Sequence, residues 1–385
     1  MSEVAHTPQL RFPEFIGEWD VTNFGNISSI KRGASPRPIS SPKWFDKDSS
    51  VGWVRISDVT KSKKYLKKTE QYLSEDGINR SRKVDKGNLI MSICATIGKP
   101  IYTNFNVCIH DGFIVFDSLS EDKGFIYYLL EKIQKKWYRY GQPGTQVNLN
   151  SDIVSSEIFS IPTKPEQQKI AAFLAAVDSK IEQLSKKQEL LGEYKKGSMQ
   201  QIFSQAIRFK ADDGSEFPDW EEKKLRDVAK ITTGSSNRED SGLDGQYTFF
   251  DRSEDIRTSD RYLFDGKAVI VAGEGSRFPP KYFEGKFDLH QRTYAIMEFV
   301  EANSKYIFYF VDKQKNYLLR YAVGSTVKSL RLPIFQKMPV SLPSLPEQTK
   351  IANFLSSIDN KIEQVGGQLD KSKQFKKALL QQMFV

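Results

Sequence analysis

The chain has 385 residues, 39% of them hydrophobic and 12% aromatic, which is enough to build two or three packed domains. No stretch approaches the roughly 18 apolar residues of a membrane span, the opening MSEVAHTPQL lacks a basic-then-apolar signal pattern, and Cys94 and Cys108, the only cysteines, argue against a disulfide framework or a zinc site. These features predict a cytoplasmic protein, and a net charge of +9 suits an acidic partner such as nucleic acid.

In chain order, the first globular stretch runs over residues 1–162. It opens with WDVTNFGNISSIKRG from Trp19 and leaves that segment through a flexible, donor-rich loop, KRGASPRPISSPK, carrying Lys31, Arg32, Ser35 and Arg37. Gly and Ser let a backbone approach phosphates, and Arg, Asn and Gln can pair with base edges in two-pronged fashion. Between Lys31 and Lys86 there are 15 Lys and Arg against 7 Asp and Glu. Trp44, Trp53, Tyr65 and Tyr72 are interleaved with that charge, the composition of a surface that grips phosphates and reads bases. Arg55, Lys61, Lys63, Lys64 and, further on, Lys99 are its candidate DNA contacts; a merely solvated lysine-rich face is the plainer alternative. The runs WVRISDV from Trp53, NLIMSICA from Asn88 and CIHDGFIVF from Cys108 read as strands. Lys123–Tyr140 carries apolar residues at helical spacing. A second polar loop, GQPGTQVNLN, then offers Thr145, Gln146 and Asn148.

Residues 163–206 form a long predicted helix. From Ile170, an alternating four-three step gives Ile170, Leu174, Val177, Ile181, Leu184, Gln188, Leu191, Lys195, Ser198 and Ile202, the seam of a coiled coil. Pro165 sits where a helix tolerates proline, and Glu166 places a carboxylate at the positive end of the helix dipole.

The pattern then repeats. Residues 207–343 form a second globular stretch, with WEEKKLRDVAKITTG from Trp220 echoing the first entrance and TGSSNREDSGLDG supplying Ser235, Ser236, Asn237 and Arg238. AVIVAG and RTYAIMEFV read as strands and Ser304–Tyr321 as a helix. Arg252, Arg277 and Lys281 are further candidate DNA contacts, and the closing loop VGSTVKSLRL offers Thr326, Lys328 and Arg331. Residues 344–385 form the second long helix: PEQTKIANFLSSIDNKIEQV matches PEQQKIAAFLAAVDSKIEQL at 13 of 20 positions without a gap. Its seam continues as Ile351, Leu355, Ile358, Ile362, Val365, Leu369, Ser372, Lys376, Leu379 and Met383. The chain is therefore a tandem duplication. Each globular part should be α/β or α+β, and the two helices should pair antiparallel within the chain, with dimerisation through each helix separately as the alternative.

No catalytic constellation is present. None of the three Gly-Lys pairs is followed by Ser or Thr, so there is no phosphate-binding loop. VAGEG resembles a methyl-donor turn, yet SRFPP follows where a helix must begin. Glu284-Gly285-Lys286 lacks the upstream Asp of a nuclease motif, and His110 and His290 read as packing residues. Off the seam, Lys169, Asp178, Lys180, Glu182 and Gln183 recur as Lys350, Asp359, Lys361, Glu363 and Gln364. Recurrence of exposed residues points to identical partners docking twice on a pseudo-twofold adaptor; residual identity from the duplication is the alternative.

The duplicated PEQxKIAxFLxxxDxKIEQ helices, the RFPEF and RF...GSEFPDWEE entrances, GNLIMSICATIGK and the GTQVN loop together resemble the specificity subunit of a type I restriction-modification system, over essentially the whole chain. That resemblance implies two target recognition domains, each reading half of a bipartite double-stranded DNA site, with the helices as spacers. It implies a non-catalytic subunit that recruits two adenine methyltransferase subunits and, with them, restriction subunits. S-adenosylmethionine, ATP and Mg²⁺ would then belong to those partners, and this chain would hold no cofactor and no metal. Two other classes stay open: a stand-alone or architectural DNA-binding protein, and a nuclease or methyltransferase of unfamiliar type.

Overall fold

The computed structural model describes residues 7–140, 149–253 and 255–385. The chain forms two compact units, one of residues 1–184 with 368–385 and the other of residues 185–367. The division cuts both long helices, Lys164–Phe203 and Leu345–Gln382, so each helix gives one part to each unit.

In the first unit a five-stranded sheet runs Ser29–Arg32, Phe113–Asp117, Leu89–Ser92, Pro100–Thr103, Tyr65–Leu66, antiparallel except for the last pair. A four-stranded sheet places Gly52–Val54 parallel to Val107–Ile109. The CIHDGFIVF run is thus two strands, broken where the backbone N–H of Gly112 turns back onto His110 Nδ1 at 2.9 Å. WVRISDV is also split: its strand stops at Val54 and a helix covers Ile56–Lys61. The cause is Asp58, whose buried carboxylate accepts the Arg55 N–H at 2.9 Å and the Glu70 N–H at 3.2 Å. The main core joins Trp19, Phe24, Phe116, Phe125 and Trp137 to Ile170 and Leu174 of the first long helix and to Leu379, Met383 and Phe384 of the second helix region.

The second unit is built on a six-stranded sheet, Lys230–Thr233, Thr293–Met297, Phe264–Ala272, Lys281–Leu289, Tyr247–Phe250, Arg257–Ser259. Ser304–Lys313 and Lys315–Tyr321 are two helices where the sequence reads as one. Its core packs Tyr306, Phe310 and Phe335 against Ile351 and Leu355 of one long helix and Met199 and Ile202 of the other. The glycines that close the two entrance segments have a physical reason: a Cβ would lie 2.0 Å from the His110 carbonyl oxygen at Gly33 and 1.7 Å from that of Leu289 at Gly234.

The long helices pair antiparallel inside each unit, as expected. Lys376 Nζ reaches Asp178 Oδ1 at 2.8 Å in the first unit, and Lys195 Nζ reaches Asp359 Oδ1 at 2.6 Å in the second. All twenty seam positions are buried or half-buried. Their N-terminal PEQ motifs form the same clasp twice. Glu166 takes Arg11 Nε and Nη2 at 2.7 and 2.8 Å; Glu347 takes the same atoms of Arg208 at 3.2 and 2.8 Å. Gln167 and Gln348 each donate to a proline carbonyl, Pro162 or Pro343, at 2.8 Å. Each also accepts the backbone N–H that begins a core helix, Asp122 at 3.0 Å or Asn303 at 2.7 Å.

Candidate nucleic-acid interface

In the first unit the loop after Gly33 is anchored on the turn between the two strands of CIHDGFIVF. Ser35 Oγ donates to Asp111 Oδ1 at 2.7 Å, Arg32 Nε donates to the Asp111 carbonyl at 2.8 Å, and Arg37 lies 3.9 Å from Asp111 Oδ2. The Ser35 hydroxyl holds the Asp111 carboxyl below the usual carboxylate range. Arg37, 77% exposed, keeps most of its guanidinium in water beside this anchor. Lys31 pairs with Asp117 and Lys61 with Glu70 at 2.6 Å, both near the surface, while Arg55 and Lys63 are exposed. Lys64 and Lys99 turn inward. Lys99 Nζ caps the Ile56–Lys61 helix, donating to the carbonyls of Val59 at 2.7 Å and Ser62 at 2.8 Å. Lys64 Nζ donates to Tyr128 OH at 2.8 Å and lies 3.9 Å from Asp178, and burial pushes its pKa down. These two ammonium groups serve the fold and are not offered to a ligand, because burial and internal acceptors already hold them. Thr145, Gln146 and Asn148 lie outside the described residues.

The second unit repeats the anchor with other chemistry. Gln291, following His290 as Asp111 follows His110, donates from Nε2 to Asn237 Oδ1 at 2.6 Å and from its backbone to the Ser236 carbonyl at 2.9 Å. Ser236 is buried and donates to Asp288 Oδ1 at 2.5 Å while accepting from Arg261 at 2.8 Å, so it shapes the loop rather than lining its surface. Ser235, Asn237 and Arg238 are exposed. The closing loop reaches the same edge: Lys328–Ser329 pairs antiparallel with Glu274–Gly275, next to exposed Thr326 and Arg331. A cavity of about 280 Å³ lies at this meeting point, lined by Arg238, Asp251, Arg252, Glu274, His290, Gln291 and Arg292. Lys281 lies aside, donating to the Ser253 carbonyl at 2.9 Å, and Arg277 is exposed yet engaged. Sequence reasoning missed Glu274, Gln291 and Arg292, since nothing in the sequence says that VAGEG and LHQR meet.

His110 and His290 accept backbone N–H groups at Nδ1, from Gly112 at 2.9 Å and Arg292 at 3.1 Å, and burial lowers both pKa values. They are neutral turn-formers. Burial likewise raises the Cys108 thiol to about 12. Among the described residues no group of three or more His, Cys, Asp or Glu is arranged to hold a metal ion, and no helix is long and apolar enough to cross a membrane.

The residues repeated off the seam fall into two sets. Asp178 and Asp359 bind inside their units, each accepting a tyrosine hydroxyl, Tyr128 or Tyr309, at 2.7 Å besides the lysine described above. Lys376 also reaches Glu131 at 2.8 Å; burial opposes its charge, but Glu131 and Asp178 leave its pKa raised. Lys169 pairs with Glu14, and Lys350 donates to the Lys210 carbonyl at 2.7 Å, so both fasten the entrance segments. Lys180, Glu182, Gln183, Lys361, Glu363 and Gln364 are exposed.

The model of the type I restriction modification DNA specificity domain matches residues 16–191 and again 218–371. The EcoDI type I restriction enzyme specificity subunit of Escherichia coli is 31% identical over 166 residues, 42% of this chain and 37% of that protein. The MjaVIII specificity subunit of Methanocaldococcus jannaschii is 24% identical over 92% of this chain and 88% of its own length. Among solved structures, a type I restriction-modification S subunit from M. genitalium superposes with a TM-score of 0.66 at 14% identity, covering 98% of this chain and 99% of that one. A chain from a study of complex assembly and conformational transition in the type I R-M system gives 0.55 at 15% identity, covering 94% and 96%.

Proposed function

The chain belongs to the type I restriction-modification DNA specificity family, and from that premise we propose that it is the sequence-reading subunit of a type I complex, each unit recognising one half of a bipartite target. The support is one frame carrying two chemistries: a donor-rich loop anchored on Asp111 in one unit and on Gln291 in the other. Related readers with different anchors suit a target whose two halves differ. Arg37, Lys61 and Lys63 in the first unit, and Asn237, Arg238, Arg252 and Lys328 in the second, are the proposed DNA contacts. The long helices set the separation of the half-sites, and two copies of one adenine methyltransferase subunit dock at Lys180, Glu182 and Gln183 and at Lys361, Glu363 and Gln364. Catalysis, S-adenosylmethionine, ATP and Mg²⁺ belong to the methyltransferase and restriction subunits, and the complex acts in the cytoplasm.

Sequencing of methylated adenines in DNA exposed to this chain with its modification subunit tests the reading. The expected result is a motif of two defined halves flanking an unspecified spacer. A single contiguous motif, or methylation without sequence preference, would refute it.

A further inference from the structure

The second unit holds an ion pair, Arg292 with Glu274, that has no counterpart among the described residues of the first unit, on a frame the two share. In the first unit Ile93 N–H donates to the Gly112 carbonyl at 2.9 Å, and the Ile93 carbonyl accepts from Leu149 at 3.1 Å. In the second, Gly273 N–H donates to the Arg292 carbonyl at 2.8 Å, and the Gly273 carbonyl accepts from Leu330 at 2.7 Å. By this correspondence Glu274 stands where the first unit has Cys94, and Arg292 where it has Gly112. The backbone is kept while the side chains change.

The geometry of the pair is that of a held reading head. Arg292 Nη1 donates to Glu274 Oε1 at 2.7 Å, and Arg252 Nη1 lies 3.6 Å from Glu274 Oε2. Glu274 is 19% exposed and Arg292 65% exposed, so the carboxylate lies low and the guanidinium stands out. The backbone of Arg292 is pinned by His290 Nδ1 at 3.1 Å and by Gly273, where a Cβ would lie 2.4 Å from the Arg292 carbonyl oxygen. So exposed an ion pair adds little stability. Among the described residues the other edge of the Arg292 guanidinium has no hydrogen-bond partner. A guanidinium fixed at one nitrogen offers its remaining donors in one plane, which matches O6 and N7 of guanine in the major groove.

We propose that Arg292 is a specificity-determining residue that reads a guanine in the half-site of the second unit, with Glu274 as its positioning residue. This rests on the reading that the unit recognises DNA. The test uses the complete methyltransferase complex and profiles methylated sites in a random-sequence library for wild type, Arg292→Ala, Arg292→Lys and Glu274→Gln. Lysine keeps the charge and loses the fork. Both Arg292 variants should relax discrimination at one G·C pair by roughly 5- to 150-fold, in the half-site that changes when residues 207–343 are exchanged, with the other half intact. Glu274→Gln should relax the same pair to a smaller degree. If Arg292→Lys keeps the wild-type motif while Arg292→Ala weakens all sites evenly with a shallower salt dependence, the contact is to phosphate and the proposal fails. An unchanged motif in both Arg292 variants also overturns it, and an unchanged motif in Glu274→Gln alone overturns the role of Glu274. A wild-type complex with no bipartite motif would instead remove the functional reading beneath the proposal.

Discussion

Two residues with the same task do not have the same surroundings. Glu166 and Glu347 are both buried and both clasped by an arginine, but Glu347 also accepts Trp220 Nε1 at 3.1 Å, whereas Trp19 Nε1 in the first unit has no hydrogen-bond partner among the described residues. Arg11→Ala leaves a buried carboxylate without its partner, a loss of about 3 to 5 kcal/mol. Arg208→Ala leaves one with a remaining indole donor, and its cost should be smaller by about 1 kcal/mol, the worth of one hydrogen bond. Urea denaturation of the two variants gives the comparison; equal costs, or a reversed order, would show that the indole contact carries no weight.

The long helices were the most legible elements because their apolar stripe follows from helix geometry alone, and every position it predicted is shielded in the structure. What distinguishes the helix faces is the seam. Leu355→Ala, at a fully buried position, should cost about 2 to 5 kcal/mol. Replacing exposed Lys361, Glu363 and Gln364 together by alanine should change stability by less than about 1 kcal/mol yet weaken capture of the modification subunit in gel filtration; undiminished capture would place the docking surface elsewhere. The interior of the globular parts was less legible. Asp58 makes a helix out of a run rich in strand formers by accepting the backbone N–H of Arg55 three residues before it and that of Glu70 twelve residues on, and no local pattern announces Glu70 as one of its donors. The candidate interface suffered from the same limit. The sequence singles out Lys64 within the basic stretch and Lys99 beyond it, but whether a lysine faces water depends on acceptors such as Tyr128 OH and the Val59 carbonyl, brought in by the tertiary fold.

At the scale of the whole molecule, the two units carry their anchored loops independently, so their readings should separate. Exchanging residues 10–162 for the equivalent stretch of another family member should change one half of the methylated motif and leave the other as it was. Methylation-site sequencing of the chimeric complex checks this, and a change in both halves would show that the units do not read independently.

The first unit is also assembled from two stretches that are far apart in time. Leu379, Met383 and Phe384 close the core around Phe125, Ile170 and Leu174, yet the ribosome makes them only after all of residues 185–367. Throughout that interval the part of the first unit's core that Leu379, Met383 and Phe384 cover stays open, whereas the second unit has every one of its parts as soon as residue 367 has emerged. The second unit is therefore free to complete its core first during synthesis, and the first, although translated earlier, completes its core only when its closing segment arrives.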